Sequence, residues 1–204
     1  MGYDGIQIYR SQQLNLSLTD IVGVLEDTNK PNAVVIFPYH DYNHFGWAFE
    51  NKPSLDFFND LQRVYDVKTS IVEYEEKVYT QIRSIPNIEL LVLAGHGKQH
   101  LLYLGSNGSD ETQTLDFGDI EIEIPLSYLN PKAKIFLWSC STGRGGENEY
   151  NLANFLSMMA EGREVISSGE DFNSKQIEVT SFYPFSTEII NSNGAKIDYS
   201  TGKY

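Results

Sequence analysis

Apolar residues in this chain follow two rhythms. Short, nearly unbroken runs occur at Ala33-Val-Val-Ile-Phe-Pro38, Leu90-Leu-Val-Leu-Ala94, Ile135-Phe-Leu-Trp138 and Glu164-Val-Ile-Ser-Ser168. Runs this short, bounded by Pro and Gly, suit strands buried on both faces of a parallel sheet. Between them the apolar positions step by three and four. Ser54 caps a helix carrying Leu55, Phe58, Leu61 and Tyr65, and Thr69 caps another carrying Ile71, Tyr74, Val78, Ile82 and Ile85. A third, over 148–160, carries Leu152, Phe155, Leu156 and Met159 and stops at Gly162. Strands alternating with helices predict an α/β fold.

Weaker patterns fill the remainder. Asp66-Val-Lys, Gln99–Leu104, Thr114–Phe117 and the alternating Glu121-Ile-Glu-Ile124 read as small strands, and Leu126–Leu129 as a short helix or turn. Asn107-Gly108 favours a hairpin turn inside a polar loop, 106–113, long enough to act as a control element. Ser174–Phe185 reads as a closing helix ended or kinked by Pro184. Met158 and Met159 read as core filling. Residues 1–31 form an extension, with a strand at Ile6–Arg10 and a helix capped by Ser17, packed on a core of 32–190. The tail, 191–204, is an edge hairpin or loose. The whole reads as one domain.

Two of the apolar runs end in chemistry. Glu89-Leu-Leu-Val-Leu-Ala-Gly-His-Gly97 carries His96 at its tip, and Lys134-Ile-Phe-Leu-Trp-Ser-Cys-Ser-Thr-Gly143 carries Cys140, the one cysteine of the chain. The carboxyl ends of parallel strands are where open α/β sheets keep their sites. If the strands are neighbours, an imidazole and a thiol share one edge, the minimum for nucleophilic catalysis by cysteine. N–H groups of Gly97 and Cys140 would supply an oxyanion hole. Amides at the start of the following helix would favour the thiolate.

This order of motifs, strand–His-Gly, an intervening hairpin, then strand–Ser-Cys-Ser-Thr-Gly and a helix, resembles the caspase-like (clan CD) cysteine peptidases, closest to the CHAT and separase branch. His96 and Cys140 stand 44 residues apart, comparable with the roughly 50 of caspases. The cysteine context is Trp-Ser-Cys-Ser-Thr rather than Gln-Ala-Cys-x-Gly, which removes the ground for expecting an aspartate preference. The resemblance implies a caspase-like three-layer sandwich, a mostly parallel central sheet flanked by helices. It also implies an endopeptidase with a His96–Cys140 dyad and no cofactor. Substrate-pocket residues would come from the loop after the first strand, Asp41 and His44, and from the exit of the fourth, Glu170 and Asp171. An acidic residue there would favour cleavage after Arg or Lys. Relatives are often held inactive until a partner or self-cleavage rearranges their loops. The expected partners are therefore a protein or peptide substrate and an activating protein. The alternative is an inactive caspase-like adaptor that binds a peptide without cutting it.

Composition narrows these readings. A net charge of −13 over 204 residues repels phosphate backbones and anionic lipid, so neither nucleic acid nor membrane is an expected partner. With one cysteine no intrachain disulfide forms, so a reducing compartment is allowed. The start of the chain lacks signal-peptide character, and the expected location is cytoplasmic, or export without a classical signal peptide. The four histidines form two i, i+4 pairs, His40/His44 and His96/His100. Neither segment reads as helical and neither holds the glutamate of the zinc-protease motif, so no metal site is expected. Ser141-Thr-Gly-Arg-Gly-Gly146 lacks the Gly-Lys-Ser/Thr of a P-loop.

Overall fold

In the computed structural model, residues 30–39, 52–105 and 110–202 are described. The expected N-terminal strand and helix, the Asn107-Gly108 turn, Asp41 and His44 lie outside the described residues. The strands are β1 (Asn32–Pro38), β2 (Asp66–Val72), β3 (Ile88–Ala94), β4 (Gly97–Lys98), β5 (Leu101–Tyr103), β6 (Thr114–Asp116), β7 (Lys134–Trp138), β8 (Glu164–Ser168), β9 (Ile177–Phe182), β10 (Phe185–Ile189) and β11 (Asp198–Thr201). The helices are α1 (Lys52–Val64), α2 (Glu75–Ser84), α3 (Glu123–Ser127) and α4 (Leu152–Met159).

Six strands build the central sheet in the order β2-β1-β3-β7-β8-β11. The first five are parallel, and β11 closes the edge antiparallel to β8. Period-two alternation sends each buried strand's side chains to two cores. Val34, Ile36, Leu91, Leu93, Ile135 and Leu137 meet α2, α3 and α4 on one face. Val35, Phe37, Val92, Phe136 and Trp138 meet α1 and the β9–β10 hairpin on the other. The result is a mixed α/β sandwich of three layers around a mostly parallel sheet, which matches the expected architecture. Burial on both faces is why these strands read as unbroken apolar runs.

Several elements differ from expectation. Thr69 lies inside β2, and α2 begins at Glu75 after Tyr74, with no side-chain cap. α1 begins at Lys52, before the expected cap Ser54. The Glu121–Ile124 stretch is not a strand: a 3-10 turn over Ile120–Ile122 runs into α3. There Ile122 and Leu126 are buried while Ile120 and Ile124 are exposed, a spacing of four that belongs to a helix. Ser174–Phe185 is not a helix either. After one 3-10 turn, Ser174–Gln176, the chain enters the β9–β10 hairpin, and Pro184 sits in its turn. β-Branched Ile177 and Val179 favour the pleated surface that packs beneath the sheet. The helix expected over 148–160 starts only at Leu152, and Met158 on it is exposed rather than core filling.

Arg163 fixes the entry to the two strands beside the cysteine. Its buried guanidinium donates to the carbonyls of Leu129, Asn130 and Ala160 at 3.0, 3.0 and 2.7 Å. A buried charge is tolerated because those acceptors replace water. Among the described residues no helix is long and apolar enough to cross a membrane.

Candidate active site

β3 and β7 are direct neighbours in parallel register, with Ala94 opposite Trp138. His96 and Cys140 each lie two residues beyond that last pair, so both tips leave the same edge of the sheet. Gly95 N–H still reaches the Trp138 carbonyl at 3.2 Å, which holds the tips together past the formal strand ends. The closest approach is made by Gly97. A Cβ there would collide with Ser139 Oγ, and would stand 2.8 Å from Thr142 Cγ2 and 2.9 Å from the Cys140 carbonyl oxygen. Only glycine permits the two turns to pack this tightly.

His96 is exposed, and its carbonyl accepts from Tyr103 N–H at 2.9 Å, anchoring the turn to β5. Cys140 is half-buried. Among the described residues its N–H goes to no backbone carbonyl. Its sulfur meets the main chain of Phe172 twice: Sγ donates to the carbonyl at 3.3 Å and accepts from the N–H at 3.4 Å. Burial pushes the Cys140 thiol up from its ordinary value; the Phe172 N–H opposes this and the Asp171 charge adds to it.

That shift corrects the expectation of a helix-stabilised thiolate. The first amides of α4 are committed elsewhere. Leu152 N–H donates to the Gln99 carbonyl at 2.8 Å, Ala153 N–H to the Thr142 carbonyl at 3.1 Å, and Asn154 N–H to the Asn151 side chain at 2.9 Å. Those donors pin the turns together but do not face the sulfur. Burial thus favours the neutral thiol over the thiolate, and attack by the sulfur calls for a base.

The exit of β8 runs alongside the cysteine turn. Ser141 N–H donates to the Glu170 carbonyl at 3.0 Å and Gly143 N–H to the Ser168 carbonyl at 2.8 Å. Ser141 Oγ donates to Asp171 Oδ1 at 2.6 Å and accepts from Arg144 Nη2 at 2.8 Å. Thus Glu170 contributes its backbone, while the Asp171 carboxylate, 81% exposed, touches the cysteine turn with Arg144 Nη2 3.9 Å away. The sequence reading missed Ser141 and Phe172. Ser141 was legible in principle from the hydroxyl-rich Ser-Cys-Ser-Thr run. Phe172 was not, because its contact is made by main-chain atoms of a separate loop.

Among the described residues no group of three or more His, Cys, Asp or Glu is arranged to hold a metal ion. The His100 ring packs on Phe117 at 5.3 Å between centroids.

No family model matches the chain, and no curated protein matches its sequence. A solved structure described as "Structure of Protease" is similar over 78% of this chain and 33% of its own, with 13% identity and a TM-score of 0.44. This chain thus spans about a third of that protein's length, and so loose a likeness carries no argument about chemistry.

Proposed function

We propose that this chain is a cysteine endopeptidase of caspase-like type, with Cys140 as nucleophile and His96 as its acid–base partner. The observation that carries the reading is the register of β3 and β7, which sends both tips off one edge with Gly97 packed against the cysteine turn. Because burial favours the neutral thiol, His96 takes the proton from Sγ as sulfur attacks the scissile carbonyl carbon. The tetrahedral oxyanion is received by N–H groups of Cys140 and Gly97. His96 then gives that proton to the departing amine as the C–N bond breaks, leaving a thioester. Water attacks the thioester, its proton passes to His96, and the released sulfur regains a proton from the imidazolium.

In this mechanism the Gly169–Phe172 segment lines the place where the substrate backbone lies, and Asp171 borders the pocket. Asp171 favours a basic side chain before the scissile bond, although Arg144 competes for the same carboxylate. The test is mass spectrometry of a peptide library incubated with the wild type, Cys140→Ala and His96→Ala. Cleavage by the wild type alone is expected, after Arg or Lys, with Asp171→Ala broadening that preference. Cleavage that survives Cys140→Ala would reject the assignment.

A second reading, an adaptor that binds without cutting, is favoured by one observation: the Phe172 main chain occupies both hydrogen-bonding capacities of the sulfur. A peptide that binds the wild type and Cys140→Ala equally tightly and is recovered uncut from both would select it.

A further inference from the structure

A cavity of about 440 Å³ opens between the segment that follows His96 and the one that follows Cys140. Phe117 and Ile120 come from the first; Glu147, Glu149 and Tyr150 come from the second. Phe155, Met158 and Met159 of α4 form its apolar floor. Phe117 joins the two sides, with ring centroids 5.8 Å from Tyr150 and 5.5 Å from Phe155. Ile120, Tyr150 and Met158 around it are 63%, 82% and 65% exposed. Large apolar side chains clustered on one exposed face mark an interaction surface.

The charge at the rim selects the partner. Glu147 and Glu149 line the cavity, Glu121 and Glu123 flank Ile120 and Ile122 in sequence, and among the described residues no Lys or Arg lines it. A second copy of this chain would bring the same acidic rim and be repelled, as would anionic lipid or nucleic acid. A basic segment with large apolar side chains meets both features at once. Methionine and aromatic walls adapt to such anchors.

We propose that this cavity is the docking site for a basic, amphipathic segment of a partner protein, which inserts large apolar side chains over Phe117 and Met158 and sets its Lys or Arg against Glu147 and Glu149. The site is wired to the cysteine turn. The Arg144 carbonyl accepts from Gln99 and from Asn151, while its guanidinium donates to Ser141 Oγ. A segment seated here thus bears on the turns after both strand tips. That regulatory role rests on the peptidase reading, whereas the docking itself does not.

The probe is a fluorescent helical peptide of Lys and Leu with one Trp, compared with its counterpart in which Glu replaces every Lys. Fluorescence anisotropy against the full chain carrying Cys140→Ala, which under the peptidase reading leaves a Lys-rich probe uncut, is expected to show binding of the basic peptide only, weakening as salt is added. Met158→Glu, or Glu147→Lys with Glu149→Lys, is expected to weaken it about tenfold or more. These positions are exposed or at the rim, so the variants fold, which circular dichroism checks. Absence of binding, equal binding of the acidic peptide, or indifference to both variants would overturn the proposal. So would a dimer in sedimentation that Met158→Glu dissolves, since the face would then belong to a second copy. Binding without any Cys140-dependent cleavage would remove the peptidase reading and leave the docking site standing. Cleavage without binding would do the reverse.

Discussion

Ser141 holds left-handed backbone at φ 58°, a conformation that costs a non-glycine residue about 1 kcal/mol. Its N–H on Glu170 and its hydroxyl between Asp171 and Arg144 offset that cost. This left-handed residue directly follows Cys140, whose sulfur meets the Phe172 main chain. Because burial and the Asp171 charge both raise the thiol, alkylation of Cys140 by iodoacetamide should remain slow at neutral pH and rise only in the alkaline range. Asp171→Asn removes one raising cause, so the rate–pH profile should move to lower pH. An unmoved profile would show that the carboxylate does not act on the sulfur. Gly97 offers a second residue-scale test. Gly97→Ala is expected to cost about 1–3 kcal/mol in urea titration, since its methyl has no room beside Ser139, Thr142 and Cys140. Ser139 Oγ is buried without a hydrogen-bond partner among the described residues, so adding Ser139→Ala should recover part of that loss. The rescue stays incomplete because Thr142 and the Cys140 carbonyl remain in place.

At the scale of elements, one contact ties α2 to the turn that leads into α3. Asp119, itself buried, accepts from Asp116 N–H at 2.6 Å and interacts electrostatically with Glu75 in the first turn of α2. Burial, the interaction with Asp119 and the nearby charges of Asp119, Asp116 and Glu121 push Glu75 up to about 8 from 4.5. An acid raised in the folded state binds more protons folded than unfolded. Its contribution is therefore fully present below about pH 4.5 and is lost as pH rises to about 8. Thermal unfolding across that window should show a falling midpoint, and Glu75→Gln should flatten the fall; a parallel fall in the variant would place the cause elsewhere. The same region explains why local pattern misled. Glu-Ile-Glu-Ile alternates as a strand does, yet Pro125 suits a first helical turn, and among the described residues no strand pairs with this stretch. The β9–β10 hairpin failed in the opposite direction, its apolar spacing compatible with a helix until the sheet offered a flat surface to cover.

For the whole molecule, a net charge of −13 places like charges on every side of a small fold, a self-repulsion that salt screens within about 10 Å at 0.1 M. The thermal midpoint should therefore rise as sodium chloride is raised from low concentration toward physiological strength. A midpoint that falls instead would mean that ion pairs such as Lys134–Glu164 and Lys196–Asp198 outweigh the repulsion.

The sequence alone determined the buried strands β1, β3, β7 and β8, because burial on both faces writes itself as an apolar run that no other environment requires. It also determined that a histidine and a cysteine end two of those strands, since glycines mark the turns. Strand order was decided only in three dimensions: β3 beside β7, with Gly97 filling the space under Ser139, follows from packing between segments distant along the chain. The state of the sulfur was decided there too. A thiol's acidity depends on which amides and carbonyls surround it, and the Phe172 main chain reaches Cys140 from a loop whose residues carry no local sign of that contact.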